Sequence, residues 1–390
     1  MMARVSRPEQ RNPGLELFFD LVFVLCVAQL ADVLHEGPSW RTAARVVLLF
    51  VPVWWTWTGV TFALNRFPSD DNITTVLLLL AAGASGLMAL AVPEVPGASD
   101  TWFAAGYLTV RLVIAVIYVR VREEDQRLTA FYATGFTLTA AAWFVSIFLP
   151  ESIKMIVWIM AMIVDILIPA VADRLQRMLP VDERHLPDRF AAFAIIVLGE
   201  AAVNTVSVVD RPLQPSTSVV LAEGFVIAAL LWWGFFDRHA WRLRYRMLAD
   251  QDNSGRIAFI ICAYLHFPLV LGVIFVGAGT QLAAEHADGY APGSAAAMIA
   301  GGIGAYLLTL NAMGWVLRVP RSRSLATPRA VLMSGLVALL LFGHGLKTPT
   351  WLLACVGALV VHSGLNISRA RKAGPTPAVR VVSDTPNGLD

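Results

Sequence analysis

Apolar residues run along this chain in long unbroken stretches, not in alternation with polar ones. A helix that crosses a membrane needs about 20 mostly apolar residues. Stretches of that kind lie at 14–34, 42–64, 73–93, 102–120, 128–149, 153–171, 190–209, 218–236, 257–281, 294–318, 327–346 and 350–367. The pattern predicts an all-α, polytopic helix bundle of about twelve transmembrane helices. Arg4, Arg7 and Arg11 lead directly into the first stretch with no small-residue cleavage site after it, so the first span is expected to be retained. From about Arg371 the chain turns to Pro, Asp, Ser and Gly, the composition of a disordered tail.

Composition agrees. The 390 residues are 57% hydrophobic and 15% charged, against about 45–50% and 25% in soluble domains. This excludes a disordered chain, a coiled coil and an ordinary soluble enzyme. A net charge of +2 gives no reason to expect nucleic acid as a partner. The three cysteines, Cys26, Cys262 and Cys355, all sit inside apolar runs, so neither a disulfide framework nor a zinc pattern is present. With twelve spans, the connections that share a side with both termini carry 24 of the Lys and Arg residues, and the opposite connections carry 5. Basic residues favour the cytoplasmic side, so both termini are expected there.

An internal repeat is expected. Trp54-Trp55-Thr-Trp57, followed by Asn65-Arg66-Phe67 and Asp70-Asp71-Asn72, has a counterpart about 180 residues later in Trp232-Trp233-Gly-Phe235 and Gln251-Asp252-Asn253. Each set falls in the second span of a half and the loop after it, and the first span of each half carries a carboxylate, Asp20 and Glu200. Two six-helix units in the same orientation make a parallel 6+6 pseudo-repeat, a known transporter plan. The expected boundaries are 1–13 for an N-terminal segment, 14–171 and 190–367 for the repeats, 172–189 for a hinge loop and 368–390 for the tail.

Ionisable residues inside hydrocarbon cost about 2.5–3.5 kcal/mol each on insertion scales and therefore face the bundle interior. Four stand out: Asp20, Arg111, Asp165 and Glu200. Three acids against one base leave two negative charges uncompensated, which calls for a proton or a cation. The alternative is that Arg111 simply bridges one acid for packing. Glu16 lies one turn before Asp20 and Asn204 one turn after Glu200, completing the candidate ion- or substrate-binding set. Trp54, Trp55, Trp57, Trp232 and Trp233 are candidates for a cavity wall or for packing. Asn65, Arg66, Asp70 and Asp71 would sit at a cytoplasmic mouth, where the two aspartates either attract a cation or cap a helix. His185-x-x-Asp188 has the spacing of a metal pair but equally that of a solvated loop. Pro52, Pro169 and Pro268 can free backbone carbonyls inside spans, and Gly301, Gly302 and Gly304 suit close helix contact. No metal site is expected and no cofactor is evident.

Three patches carry a resemblance. Leu15-Glu16-Leu17-Phe18-Phe19-Asp20-Leu21-Val22-Phe23-Val24, then Trp54-Trp55-x-Trp57 with Asn65-Arg66-Phe67-x-x-Asp70-Asp71, then Arg189-Phe190-x-x-Phe193-x-Ile195-Ile196-x-Leu198-Gly199-Glu200 resemble the bacterial low-temperature-requirement A (LtrA) family over about 15–370. Many relatives have Glu-Arg where this chain has Asp188-Arg189. The resemblance implies a multi-pass protein of the bacterial inner membrane; the partners expected from the residues are the lipid bilayer and a small ion or small-molecule or lipid substrate. It implies no molecular activity.

Three functions fit these residues. The first is proton- or cation-linked transport through a carboxylate-lined cavity. The second is a membrane-embedded enzyme using Asp20 or Glu200 as general acid on a lipid or isoprenoid, with Mg²⁺ relevant only if a diphosphate binds. The third is a membrane scaffold or sensor in cold or stress adaptation. Oligomeric state is not readable from the sequence.

Overall fold

The computed structural model describes residues 13–67, 71–120, 126–172, 181–183, 185–207, 214–236, 254–317, 332–339 and 343–372. Asp70, the side chain of Asn204, residues 173–180 and 184 of the 172–189 loop and the tail beyond 372 lie outside the described residues. Among those described, the chain is helical with no strand. The helices are α1 (Pro13–Glu36), α2 (Trp40–Arg66), α3 (Asn72–Ala91), α4 (Asp100–Arg120), α5 (Gln126–Ser146), α6 (Glu151–Val171), α7 (His185–Ser207) and α8 (Pro215–Phe236). α9 (Ser254–Ala258) passes through a π-helical stretch, Phe259–Leu265, into α10 (His266–Glu285), followed by α11 (Gly293–Val316) and α12 (Thr348–Lys372). Residues 332–339, within the expected eleventh span, are also helical. Nine of the described helical segments are long and apolar enough to cross a membrane.

Local chemistry sets the helix ends. Ser39 caps α2 by accepting from the Thr42 amide at 3.1 Å, and Asp71 caps α3 by accepting from the Thr74 amide at 2.6 Å. Proline opens or immediately precedes α1, α6, α8 and α11, where its missing N–H costs nothing. At the far end of α2 from Arg66, Arg45 donates to the carbonyls of Val92, Pro93 and Val95, pinning the α3–α4 connection.

Apolar side chains cover the outside of the bundle as well as filling it. Leu17, Leu21 and Leu25 on α1, Val76 and Leu80 on α3, and Ile156 and Met160 on α6 are all exposed. This is a surface made for lipid, since in a bilayer an outward leucine is solvated by acyl chains. Helix association then rests on close packing and on polar contacts between helices. The closest approaches are made by glycine. A Cβ on Gly272 would stand 2.6 Å from the Gly302 carbonyl oxygen, joining α10 to α11, and one on Gly106 would stand 2.7 Å from the Ala84 carbonyl oxygen, joining α4 to α3. Gly302 belongs to the small-residue run at Gly301-Gly302-x-Gly304.

Packing partners recur along the chain. α1 packs on α2 and α3, and α3 on α4; likewise α7 packs on α8 and α10, and α10 on α11. α1 and α2 also meet α7 and α10, so the first two helices of the chain touch both of these later helices. α2 is the most enclosed of the described spans.

Candidate functional site

α2 carries Trp54, Trp55 and Trp57, which at 100° per residue point to three sides of the helix. Each indole N–H finds an acceptor on a different neighbour. Trp54 donates to the Ala263 carbonyl at 2.7 Å, Trp55 to the Asp165 carbonyl at 3.2 Å, and Trp57 to Asp20 Oδ1 at 2.8 Å. Two of these acceptors are available because of proline. Pro169 has no N–H for the carbonyl four residues back, which is Asp165. Pro268 has none for the carbonyl five residues back, which is Ala263, the partner that π-helical spacing would assign to it. The tryptophans of α2 thus satisfy backbone groups that α6 and the π-helical stretch leave open in a dry interior.

Two buried ion-pair clusters flank α2. In the first, Arg111 of α4 meets Asp165 of α6, with Arg111 Nε 3.3 Å from Asp165 Oδ2. Tyr107, one turn before Arg111, donates its hydroxyl to Asp165 Oδ2 and accepts from Arg111 Nε at 2.7 Å. Thr139 of α5 donates to Asp165 Oδ1 at 3.0 Å. Both carboxylate oxygens are therefore engaged, and the Arg111 guanidinium lies over the rings of Tyr107 and Phe136. Beside this pair is a cavity of ≈ 30 Å³, whose wall includes Trp55, Thr58 and Gly59 of α2, Arg111 and Phe259.

The second cluster joins α1 to α7. Arg189 Nη2 donates to Asp20 Oδ1 at 2.7 Å, the oxygen that also accepts from Trp57. Arg189 Nη1 stands 3.3 Å from Glu16 Oε2, and His185 Nε2 stands 3.1 Å from that same oxygen. Exposure falls along this chain of groups, from 22% for the His185 side chain through 11% for Glu16 to 0% for Asp20. The other Asp20 oxygen, Oδ2, is buried without a hydrogen-bond partner.

The charge count made from the sequence is corrected here. Arg111 is not the sole buried base. α7 begins at His185, five residues before the apolar stretch does, which brings Arg189 inside the helix and leaves it 6% exposed. Arg66, at the end of α2, is 7% exposed. Its Nη1 bonds the Tyr118 hydroxyl at 3.3 Å, and its guanidinium lies over the rings of Tyr132 and Phe259. Asp20 and Asp165 thus each have an arginine, so these two acids are not left uncompensated.

The other sequence-stated candidates are dispersed. Glu200 is half-buried on α7 about three turns beyond Arg189. Trp232 and Trp233 lie on the outer face of α8, 43% and 49% exposed, unlike their buried counterparts on α2. Asn65 clamps the backbone of Asp182, donating to its carbonyl at 3.3 Å and accepting from its amide at 2.9 Å. Asp71 caps α3 and pairs with Arg120 at 2.9 Å. His266 bonds the Ile261 carbonyl at 2.8 Å in the π-helical stretch. Among the described residues no three His, Cys, Asp or Glu side chains gather as a metal site. Sequence reading passed over Tyr107 and Thr139, and it weighed His185 only as half of a metal pair and Arg189 only as part of the third patch. Tyr107 carried a signal, because a phenol four residues before a buried arginine shares its helix face.

Comparison with known proteins follows the same outline. The family model for bacterial low temperature requirement A protein (LtrA) matches residues 13–363. An uncharacterised protein of Rhizobium meliloti (strain 1021) is 27% identical over 283 residues, which is 70% of this chain and 69% of that protein.

Proposed function

The chain belongs to the bacterial low temperature requirement A family, and on that premise we propose that it is a proton-linked membrane transport protein in which Asp20 is the proton-loading carboxylate. One observation carries the reading: Asp20 is fully buried where α1 meets α7, held by Arg189 through one oxygen while the other oxygen has no partner. A proton arriving at that oxygen neutralises the carboxylate and weakens its hold on Arg189, whose remaining acid is Glu16. His185 and Glu16 lead toward Asp20 in order of decreasing exposure. Loading Asp20 therefore alters the contact between the first and second sets of helices. A metal cation suits the site less well, because Arg189 already fills one face of the carboxylate.

The same proposal takes the helices as a 6+6 parallel repeat with both termini cytoplasmic in the bacterial inner membrane, supported by the recurring packing order and the bias of basic residues. The isoprenoid-enzyme reading gains no support from the Arg111 cavity. The cavity at Arg111 has room for about two waters, whereas ordinary ligand pockets span roughly 300–1,000 Å³.

Charge movement in proteoliposomes on a pH jump tests the proposal without requiring a known solute. The wild-type protein gives a transient displacement current, and Asp20→Asn loses at least about tenfold of it, since a carboxamide takes up no proton. Asp165→Asn retains the current. A current unchanged in Asp20→Asn, in protein that elutes as a single species, overturns the assignment.

A further inference from the structure

We propose that the cavity between α2, α4, α5, α6 and the π-helical stretch is a binding site for a small monovalent anion of halide or formate size, held by Arg111 and Thr58. This goes beyond the transport reading and stands on different residues.

The donors come first. Arg111 is 1% exposed, and both of its terminal nitrogens, Nη1 and Nη2, are buried without an acceptor. Thr58, 4% exposed, has a hydroxyl that is likewise unpartnered. A threonine inside a helix ordinarily bonds the carbonyl four residues back, and Thr109, Thr137, Thr280 and Thr309 all do so here. Thr56, Thr58 and Thr61 of α2 do not, and of these three Thr58 stands on the cavity wall. Three buried donors thus belong to residues that border one small space. Leaving buried donors unsatisfied forfeits the hydrogen bonds they make in water, so the space calls for an acceptor.

Charge decides between water and an anion. Asp165 also lines the cavity, but its oxygens are taken by Thr139, Tyr107 and Arg111 Nε. It cancels one positive charge. Arg66 supplies a second, packed behind the wall residues Tyr118, Tyr132 and Phe259, and no ion pair joins it to a carboxylate among the described residues. Among the described residues the region therefore carries one excess positive charge in a low-dielectric setting, which water solvates poorly and a monovalent anion cancels. Size sets the class. A cavity of ≈ 30 Å³ admits one or two water-sized guests. Gly59 keeps it open on one side, since a Cβ there would stand 3.1 Å from Arg111 Nη1.

Thermal unfolding of the full-length protein in detergent tests this. Chloride, bromide and formate are titrated against gluconate at constant ionic strength. The three small anions raise the melting temperature saturably and gluconate does not. Thr58→Val, which keeps the volume and removes the donor, weakens half-saturation by about tenfold. Arg111→Gln abolishes the response; if that variant fails to fold, Thr58→Val carries the test alone. Asp20→Asn binds the anions within about twofold of wild type, so loss of the proposed proton site and loss of this one are separately visible. Equal melting temperatures in chloride and gluconate, or wild-type affinity in Thr58→Val, overturn the proposal.

Discussion

At the scale of single residues, pairing controls what each buried charge can do. Arg189 is the base that makes burial of Asp20 tolerable. Removing one member of a buried pair leaves the other uncompensated and costs about 3–5 kcal/mol. Arg189→Gln should therefore unfold at markedly lower temperature or denaturant than wild type. Arg41→Gln, at an exposed position near the opposite end of α2, should stay within about 0.5 kcal/mol. Equal stability of the two variants would show that Asp20 does not depend on the guanidinium. Asp20, Arg111 and Asp165 were legible in the sequence because each interrupts a long apolar run. Their partners were less so. Arg189 sits where helix and loop cannot be separated by hydropathy, and its pairing with Asp20 spans 169 positions. Thr139 differs in no visible way from other threonines until α5 is placed against α6.

Helices were legible for a different reason. A bilayer demands continuous apolar length and complete backbone hydrogen bonding, so each span announces itself without reference to its neighbours. What the apolar stretches conceal is which helix is central and how closely others approach it. α2 reads as an ordinary span, yet its tryptophans serve three neighbours. The π-helical stretch had one local sign, Pro268, and the matching of Pro169 to Trp55 depends on how α2 and α6 come together. Close approach is testable at α2 and α4. A Cβ on Gly59 would meet Ile114 Cδ1 at 2.8 Å and Arg111 Nη1 at 3.1 Å, whereas one on Gly83 of α3 meets nothing within 4 Å. Gly59→Ala should then cost about 1–3 kcal/mol through overpacking. Gly83→Ala should be neutral or slightly stabilising, alanine being the better helix former. Chemical unfolding of the two variants in the same detergent measures the difference, and a neutral Gly59→Ala would mean that α4 can shift without loss.

For the whole molecule, the repeat and the orientation belong together, because a parallel pair of six-helix units requires both termini on one side. In the proposed repeat the two units would be alike in packing order and unlike in chemistry. Trp54 and Trp55 are buried against carbonyls while Trp232 and Trp233 face outward, so the two tryptophan pairs do different work in the proposed repeat. Orientation can be read directly. Cys26, Cys262 and Cys355 are all buried, so a membrane-impermeant maleimide applied to intact cells should leave the native protein unlabelled. Ser39 and Asp71 are exposed just beyond the two ends of α2, and a helix of 27 residues is about 40 Å long, enough to place them on opposite sides of the bilayer. Single substitutions then report the topology: Ser39→Cys should label from outside the cell, and Asp71→Cys only after the membrane is opened. Arg41 and Arg45 near Ser39, set against the far larger number of basic residues on the Arg66 side, give this order its physical basis in the cytoplasmic preference of positive charge. Labelling of Asp71→Cys in intact cells would invert the molecule, and the path from His185 through Glu16 to Asp20 would then open to the outside instead of the cytoplasm.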